Sequence, residues 1–345
     1  MISNANEDSN LGEETSMNYT IDAIAKELGL SKTTVSRAIS GKGRISESTR
    51  QRVADFIKEI NYMPSAVARS LAASKTFNIG LIFPQDSTLD EMPYFQDVMV
   101  GVCEAALDHD YDVLNILADN NDIHSLDRAI TNKKIDGLIV SRCIKDSRVI
   151  EYLKDKELPY VVLGNPLEEG ILYVDNDNKT AARRMMEALI DQHMKKFALV
   201  GGNESFFVTQ SRLEGYLEGL NKRGIEVNEN LIFLNAHRGE RLKSIVSTIL
   251  ENEVDCIVCM DDVLCNNTLL FLQTSGVSVP KDVKLVSYYD SKLLLNHTPS
   301  ITSLYFDSKY LGAQGVDVLM RKIDGKVAQS RILTDFNLQM RESTR

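Results

Sequence analysis

The chain has 345 residues, 43% of them hydrophobic and 26% charged, with a formal net charge of −10. That size suits two or three domains with ample core, and no apolar run reaches the roughly 18–20 residues that span a bilayer. Residues 1–20, MISNANEDSNLGEETSMNYT, carry neither a basic segment nor an apolar stretch, and the five cysteines are odd in number and far apart. No signal peptide is therefore expected, and reduced thiols in a cytoplasmic protein are.

The charge is unevenly spread. Residues 1–16 hold four acids and no bases, and read as part of a disordered tail over 1–17. Residues 17–76 hold ten Lys/Arg against five Asp/Glu, whereas 77–345 hold 29 against 40. A basic module on an acidic body is the pattern expected when one end of a protein meets phosphate.

Three short helices are predicted next. Thr20 is a candidate N-cap, and Ile21, Ile24, Ala25 and Leu28 recur at helical spacing before Gly29, a residue suited to end a helix. Ser31 opens the second helix, with Val35 and Ile39 on its buried side. Ser46 opens the third, with the apolar stripe Val53, Phe56, Ile57 and Ile60. The spacing Ala25, Gly29, Val35 makes this a helix-turn-helix: Ala permits close approach, Gly turns the chain and Val locks the second helix on the first. Lys32, Thr33, Thr34, Ser36 and Arg37 then lie near the exposed start of the recognition helix, with Tyr19 and Thr20 at the entry of the first. Arg37 suits a bidentate contact to guanine, and the threonines suit thymine methyls or phosphates.

The run TIDAIAKELGLSKTTVSRAISGKGRISESTRQRV, followed by INYMPSAVARSLAASKT, resembles the LacI/GalR family of bacterial regulators without a gap from about Tyr19 to Thr76. The resemblance implies a hinge helix at 65–72 that folds on DNA. So short a helix after Pro64 is unstable alone, which is compatible with that role. It implies further that Leu71 wedges into the minor groove and that Ala68 lets paired hinges approach. Ser40 stands where the family usually has Asn.

From residue 77 onward strands and helices alternate. Buried strands are predicted at 78–83, 112–118, 136–141, 160–164, 171–175, 197–202, 231–235, 255–260 and 283–289, separated by amphipathic stretches such as FQDVMVGVCEAALDH and RLEGYLEGLNKRG. Such alternation means doubly wound parallel sheets with ligands outside the carboxyl ends of the strands. The fold class expected is thus an all-α helix-turn-helix head plus an α/β body of two lobes. The body resembles the periplasmic-binding-protein fold that LacI/GalR regulators share. The domains read as 18–63 for the DNA-binding head, 64–76 for hinge and linker, and 77–345 for effector binding and dimerisation.

In that body the resemblance implies effector contacts from the aromatic pair Tyr94 and Phe95, from Arg212 and from Asp261. Aromatic faces suit sugar rings or bases, and an arginine fork suits vicinal hydroxyls. Arg142, ending a strand, is a further candidate. Tyr289 replaces the first acid of the family's Gly-Phe-Asp-Asp, and Asp290, which remains, is assigned a structural part. Cys256 and Cys259 read as buried strand residues, because no second ligand pair accompanies them. No phosphate-binding loop or nucleophile–base set occurs, so neither an enzyme nor a cofactor is expected.

These expectations converge on a homodimer that binds a pseudo-palindromic operator on double-stranded DNA, most often as a repressor, under control of a small molecule, with a sugar first and a purine or nucleoside as the alternative. A solute-binding protein would share the two-lobed fold, but it would need an export signal and no DNA-binding head.

Overall fold

The computed structural model describes residues 20–40, 43–60, 70, 73–85, 93–236 and 239–345. The chain divides into two compact units, 1–75 and 76–345.

In the first unit, helix α1 spans Ile21–Leu28, α2 Lys32–Ser40 and α3 Glu47–Glu59. Each start is capped by the hydroxyl that the sequence offers there. Thr20 Oγ1 accepts from Ala23 N (3.2 Å), Ser31 Oγ from Thr34 N (3.1 Å) and Ser46 Oγ from Thr49 N (3.2 Å). Gly29 ends α1 with φ +62°, a left-handed conformation in which glycine meets no Cβ penalty. The apolar stripes close on one another in a core of Ile24, Ala25, Leu28, Val35, Ala38 and Val53. Ala38 was not among the expected core residues.

The second unit holds two sheets of six strands. The first lobe contains β1 (Asn78–Phe83), β2 (Asp112–Leu117), β3 (Gly137–Val140), β4 (Tyr160–Leu163) and β5 (Tyr173–Asn176). Around them lie α4 (Pro93–Leu107), α5 (His124–Thr131) and α6 (Arg148–Lys154). The second lobe begins with α7 (Asn178–Asp191), β6 (Phe197–Val200), α8 (Phe207–Lys222), β7 (Ile232–Phe233) and α9 (Glu240–Glu251). It continues through β8 (Cys256–Cys259), α10 (Asp262–Thr274), β9 (Lys284–Ser287), α11 (Lys292–Leu295) and β10 (Thr302–Tyr305). The chain then returns to the first lobe as α12 (Ser308–Ile323) and β11 (Arg331–Leu333), and ends in the second lobe as β12 (Asn337–Gln339).

Strand order is β11-β5-β4-β3-β1-β2 in one sheet and β12-β10-β9-β8-β6-β7 in the other. All pairings are parallel except β10 with β12. Each sheet therefore reverses its winding direction between two strands, β1/β3 in one lobe and β6/β8 in the other. The crevice for a ligand opens at the carboxyl ends there. The nine strands expected from the sequence are all present within a residue or two, but β10, β11 and β12 were not foreseen. They matter because the last crossings of the chain between lobes run through them.

Buried residues form a core on each face of each sheet. Helix α12 packs against α4 so closely that a Cβ on Gly101 would stand 2.0 Å from Lys309 O, and one on Gly312 would stand 2.6 Å from Val98 O. The lobes also touch across the cleft: Ile144 and Phe206 form an antiparallel bridge, and Lys145 N donates to Ser205 O at 2.8 Å. Among the described residues no helix is long and apolar enough to cross a membrane.

Candidate functional site

In the first unit, the side chains expected to meet DNA lie on the accessible side of α2 and its approach. Thr20, Lys32, Thr33 and Arg37 are exposed, and Thr34 and Ser36 are half-buried. Some are already engaged locally: Thr20 caps α1, Lys32 Nζ is 2.8 Å from Asp22 Oδ2, and the Thr34 hydroxyl is 2.8 Å from Ser31 Oγ. A surface ion pair of that kind is worth little and exchanges readily for phosphate. The Arg37 side chain runs beside Gly43. Tyr19, Ala68 and Leu71, together with most of the expected hinge, lie outside the described residues, as does the side chain of Ser40.

In the second unit, one cavity lies between the lobes. All six expected effector residues line it: Tyr94, Phe95, Arg142, Arg212, Asp261 and Tyr289. The fold explains the convergence. Arg142 follows β3, Asp261 follows β8 and Tyr289 follows β9, so each stands at a carboxyl end facing the cleft. Tyr94 and Phe95 come from the first turn of α4, and Arg212 from α8.

The aromatic residues make one wall. Phe95 meets Phe83 edge-on with ring centroids 5.9 Å apart, and Tyr94 meets Phe95 at 5.2 Å and Tyr289 at 6.1 Å. Tyr94 and Tyr289 thus join the two lobes. The Arg142 guanidinium lies over Phe95 at 5.1 Å and over Phe206 at 4.7 Å, between rings from opposite lobes.

The polar groups are held by the protein itself. Arg212, 9% exposed, donates through Nε to Asn178 Oδ1 at 3.2 Å and through Nη1 to Met260 O. It is therefore no surface charge. Burial lowers its pKa, opposed by the carboxylates of Asp261, Asp175 and Asp262 and by Tyr289. Asp261 caps α10, its Oδ1 accepting from Leu264 N at 2.7 Å. The Tyr289 hydroxyl is 2.8 Å from Ser308 Oγ, and burial pushes its pKa up. Where the family pattern has an acid, this chain has an aromatic ring whose polar end is occupied. Asp290 faces elsewhere: it forms a two-pronged pair with Arg341 (2.7 and 2.6 Å) and accepts from Ser303 Oγ at 2.7 Å, which is a structural role.

Sequence reasoning missed several lining residues. Asp175 lies near the carboxyl end of β5, and its carboxylate accepts from Asn165 N (3.0 Å), Asn176 N (2.8 Å) and Asn178 Nδ2 (3.3 Å). Burial raises its pKa to about 6 in spite of those bonds. Ser141, Asn178 and Phe206 also line the wall. The position that selected Arg142, the end of a buried strand, would have selected Asp175 and Ser141 as well. Cys256 and Cys259 are fully buried in β8, and no group of three or more metal-binding side chains occurs among the described residues.

The comparisons with known proteins agree with this geometry. Residues 20–65 match the model of "Bacterial regulatory proteins, lacI family", and 76–339 match that of "Periplasmic binding proteins and sugar binding domain of LacI family". The HTH-type transcriptional regulator CelR of Thermobifida fusca is 27% identical over 94% of this chain and 98% of its own. The HTH-type transcriptional regulator MalR of Streptococcus pneumoniae is 30% identical over 76% of this chain and 82% of its own. A solved transcriptional regulator CelR–cellobiose complex superposes with a TM-score of 0.73 at 26% identity, covering 94% of this chain and 99% of that one. The lac repressor dimer bound to operator and an anti-inducer shares the fold, with a TM-score of 0.77 at 21% identity over 94% and 99% of the two chains. A helix-turn-helix head and a two-lobed sensor matched along nearly their whole length identify this chain as a DNA-binding transcriptional regulator of the LacI family, not an enzyme.

Proposed function

We propose that this chain is a cytoplasmic, homodimeric repressor whose hold on a pseudo-palindromic operator is set by a sugar bound between the lobes of its second unit. The observation that carries the reading is the cavity in which Tyr94, Phe95, Arg142, Arg212, Asp261 and Tyr289 meet. Aromatic faces bind the apolar face of a sugar ring, while arginine and carboxylate groups around its edge take hydroxyls. The solved cellobiose complex of CelR and the kinship with MalR add support from relatives.

In this proposal 18–63 reads the half-site through Lys32, Thr33, Thr34, Ser36 and Arg37, with Tyr19 and Thr20 at the backbone. The segment 64–76 supplies the hinge helix, with Ala68 and Leu71 at the operator centre. Residues 77–345 bind effector and dimerise. Leu107, Leu114 and Leu117, exposed along the α4/β2 edge of the first lobe, provide apolar surface suited to a second copy. A ligand that contacts both lobes favours the arrangement in which those contacts coexist. It alters operator affinity only by that difference in affinity between arrangements.

A purine or nucleoside effector is the second reading, favoured by the three rings of Tyr94, Phe95 and Phe206. A thermal-shift screen of sugars, nucleosides and purine bases on the purified chain separates the two, because a ligand selective for the folded state raises its melting temperature. A sugar that raises the melting temperature and releases the chain from operator DNA in a mobility-shift assay is the expected result. A shift with nucleosides or bases alone would displace the sugar reading.

A further inference from the structure

Asp22, in the first turn of α1, and Lys32, which opens α2, meet at 2.8 Å although ten residues separate them. The fold imposes the meeting. Ile24, Ala25 and Val35 pack α1 against α2, and Gly29 turns the chain between them, so the first turns of both helices come within reach. The two side chains are 65% (Lys32) and 66% (Asp22) exposed, so the pair is open to a ligand as large as a duplex. Helix energetics accounts for one partner and not for the other. A carboxylate in the first turn of α1 suits the positive end of the helix dipole. A lysine in the first turn of α2 opposes it, and α2 has no acid of its own there. Lys32 thus weakens its own helix, as residues placed for what they touch often do, and Asp22 supplies the missing counter-charge from α1.

That counter-charge changes how the lysine responds to DNA. A lone ammonium adds a phosphate contact on any sequence. An ammonium held against a carboxylate brings no net charge. A phosphate can take Lys32 from Asp22, but the carboxylate is then left facing the same phosphates. A base edge differs: guanine N7 and O6 accept hydrogen bonds without a formal charge. An ammonium has three donors, so it can serve such an edge and Asp22 together. The pair therefore separates base from backbone, which a lysine alone does not.

We infer that Asp22 is a specificity-determining residue of the head, acting through Lys32 by withholding its charge from the phosphate backbone. This rests on the reading above in which Lys32 meets DNA, and it adds a residue that the reading does not contain. Asp22 is a positioning residue and need touch no base itself.

The test is salt titration of the full chain and its Asp22→Asn variant on two duplexes, one of random sequence and one selected from a library with the parent chain. On the random duplex the variant is expected to bind about threefold tighter at about 0.1 M salt, and its plot of log K against log salt to be steeper by about 0.9 for each head engaged. On the selected duplex the change should stay below about twofold, so the ratio of specific to random binding falls. In a Lys32→Met background the same Asp22→Asn change should leave the slope as it is, because no cation is released. An unchanged slope in Asp22→Asn overturns the inference. So does a steeper slope that persists without Lys32, or an equal gain on both duplexes. Weaker binding to both duplexes also overturns it, since loss of an acid that only stabilises its helix acts in that direction. If Lys32→Met alone binds the selected duplex as the parent does, Lys32 leaves the set that reads DNA. That outcome strikes the underlying reading, whereas the others strike only the part given to Asp22.

Discussion

Asp290 and Tyr289 are neighbours with opposite fates. Asp290, whose side chain is 9% exposed, is tied to Arg341 by two parallel hydrogen bonds, whereas Tyr289 forms part of the cavity wall. Asp290→Ala would leave the Arg341 guanidinium buried without its counter-charge. The expected loss is about 3 kcal/mol of stability, read by urea unfolding, with effector affinity in the surviving folded protein unchanged. An affinity loss larger than the stability loss would return Asp290 to the effector site. Asp262 offers a second residue-level test. It is fully buried, Val263 N donates to its Oδ1 at 3.0 Å, and its Oδ2 has no hydrogen-bond partner. Burial and then the neighbouring Asp261 raise its pKa to about 6, against the lowering effect of Ser291. An acid with a folded pKa above its unfolded value of 3.8 binds more protons in the native state between those two values, so stability falls as pH rises through that window. Asp262→Asn keeps the acceptor for Val263 and removes the charge. It should therefore gain stability over the parent at pH 7, by up to about 3 kcal/mol, and lose that advantage as pH approaches 4. A gain independent of pH would sink the assignment.

At the scale of elements, the ends of α1 show how local chemistry sets the head. Gly29 has a left-handed backbone, and a Cβ there would touch nothing within 4 Å. Gly29→Ala therefore isolates the conformational penalty, about 1 kcal/mol, and should lower the stability of residues 20–60 without altering their core. Hydrogen exchange of the Ile24 and Val35 amides reads it directly; unchanged protection would mean the turn tolerates a side chain. The same locality explains what could be read beforehand. Caps at Thr20, Ser31 and Ser46, helical spacing of Ile24, Leu28 and Val35, and the apolar runs of the inner strands are all near-neighbour signals. Strands β10 to β12 gave no such signal: TSLY, RIL and NLQ are short and mixed in polarity. Their pairing depends on partners far away in sequence, as in Arg331 with Val174 and Ser303 with Gln339. The cavity was legible only in part, for the same reason. Family position marked Tyr94, Phe95, Arg212 and Asp261, and strand-end position marked Arg142. The same strand-end signal was available for Asp175, whereas Asn178 and Phe206 become part of a site only when the two lobes face each other across the cleft.

At the scale of the whole molecule, the sensor can control DNA only if binding energy in the cleft changes what the N-terminal segments do. Residues 17–76 carry ten bases and five acids, which supplies attraction to any duplex. Control must therefore act on the part of affinity that depends on sequence and on bending. In the proposed function that part falls to Leu71, as a side chain that would enter the minor groove at the centre of a two-fold site. A wedge costs unstacking energy that only a deformable central step repays, so it discriminates among sequences, while phosphate contacts do not. Leu71→Ala should consequently weaken binding to a selected palindromic operator at least tenfold, about 1.4 kcal/mol, and change binding to random duplex less than twofold at the same salt. Mobility shifts on the two duplexes measure both numbers. If the losses match, Leu71 belongs to general backbone attraction, and the coupling between cleft and operator must run through the recognition helices instead.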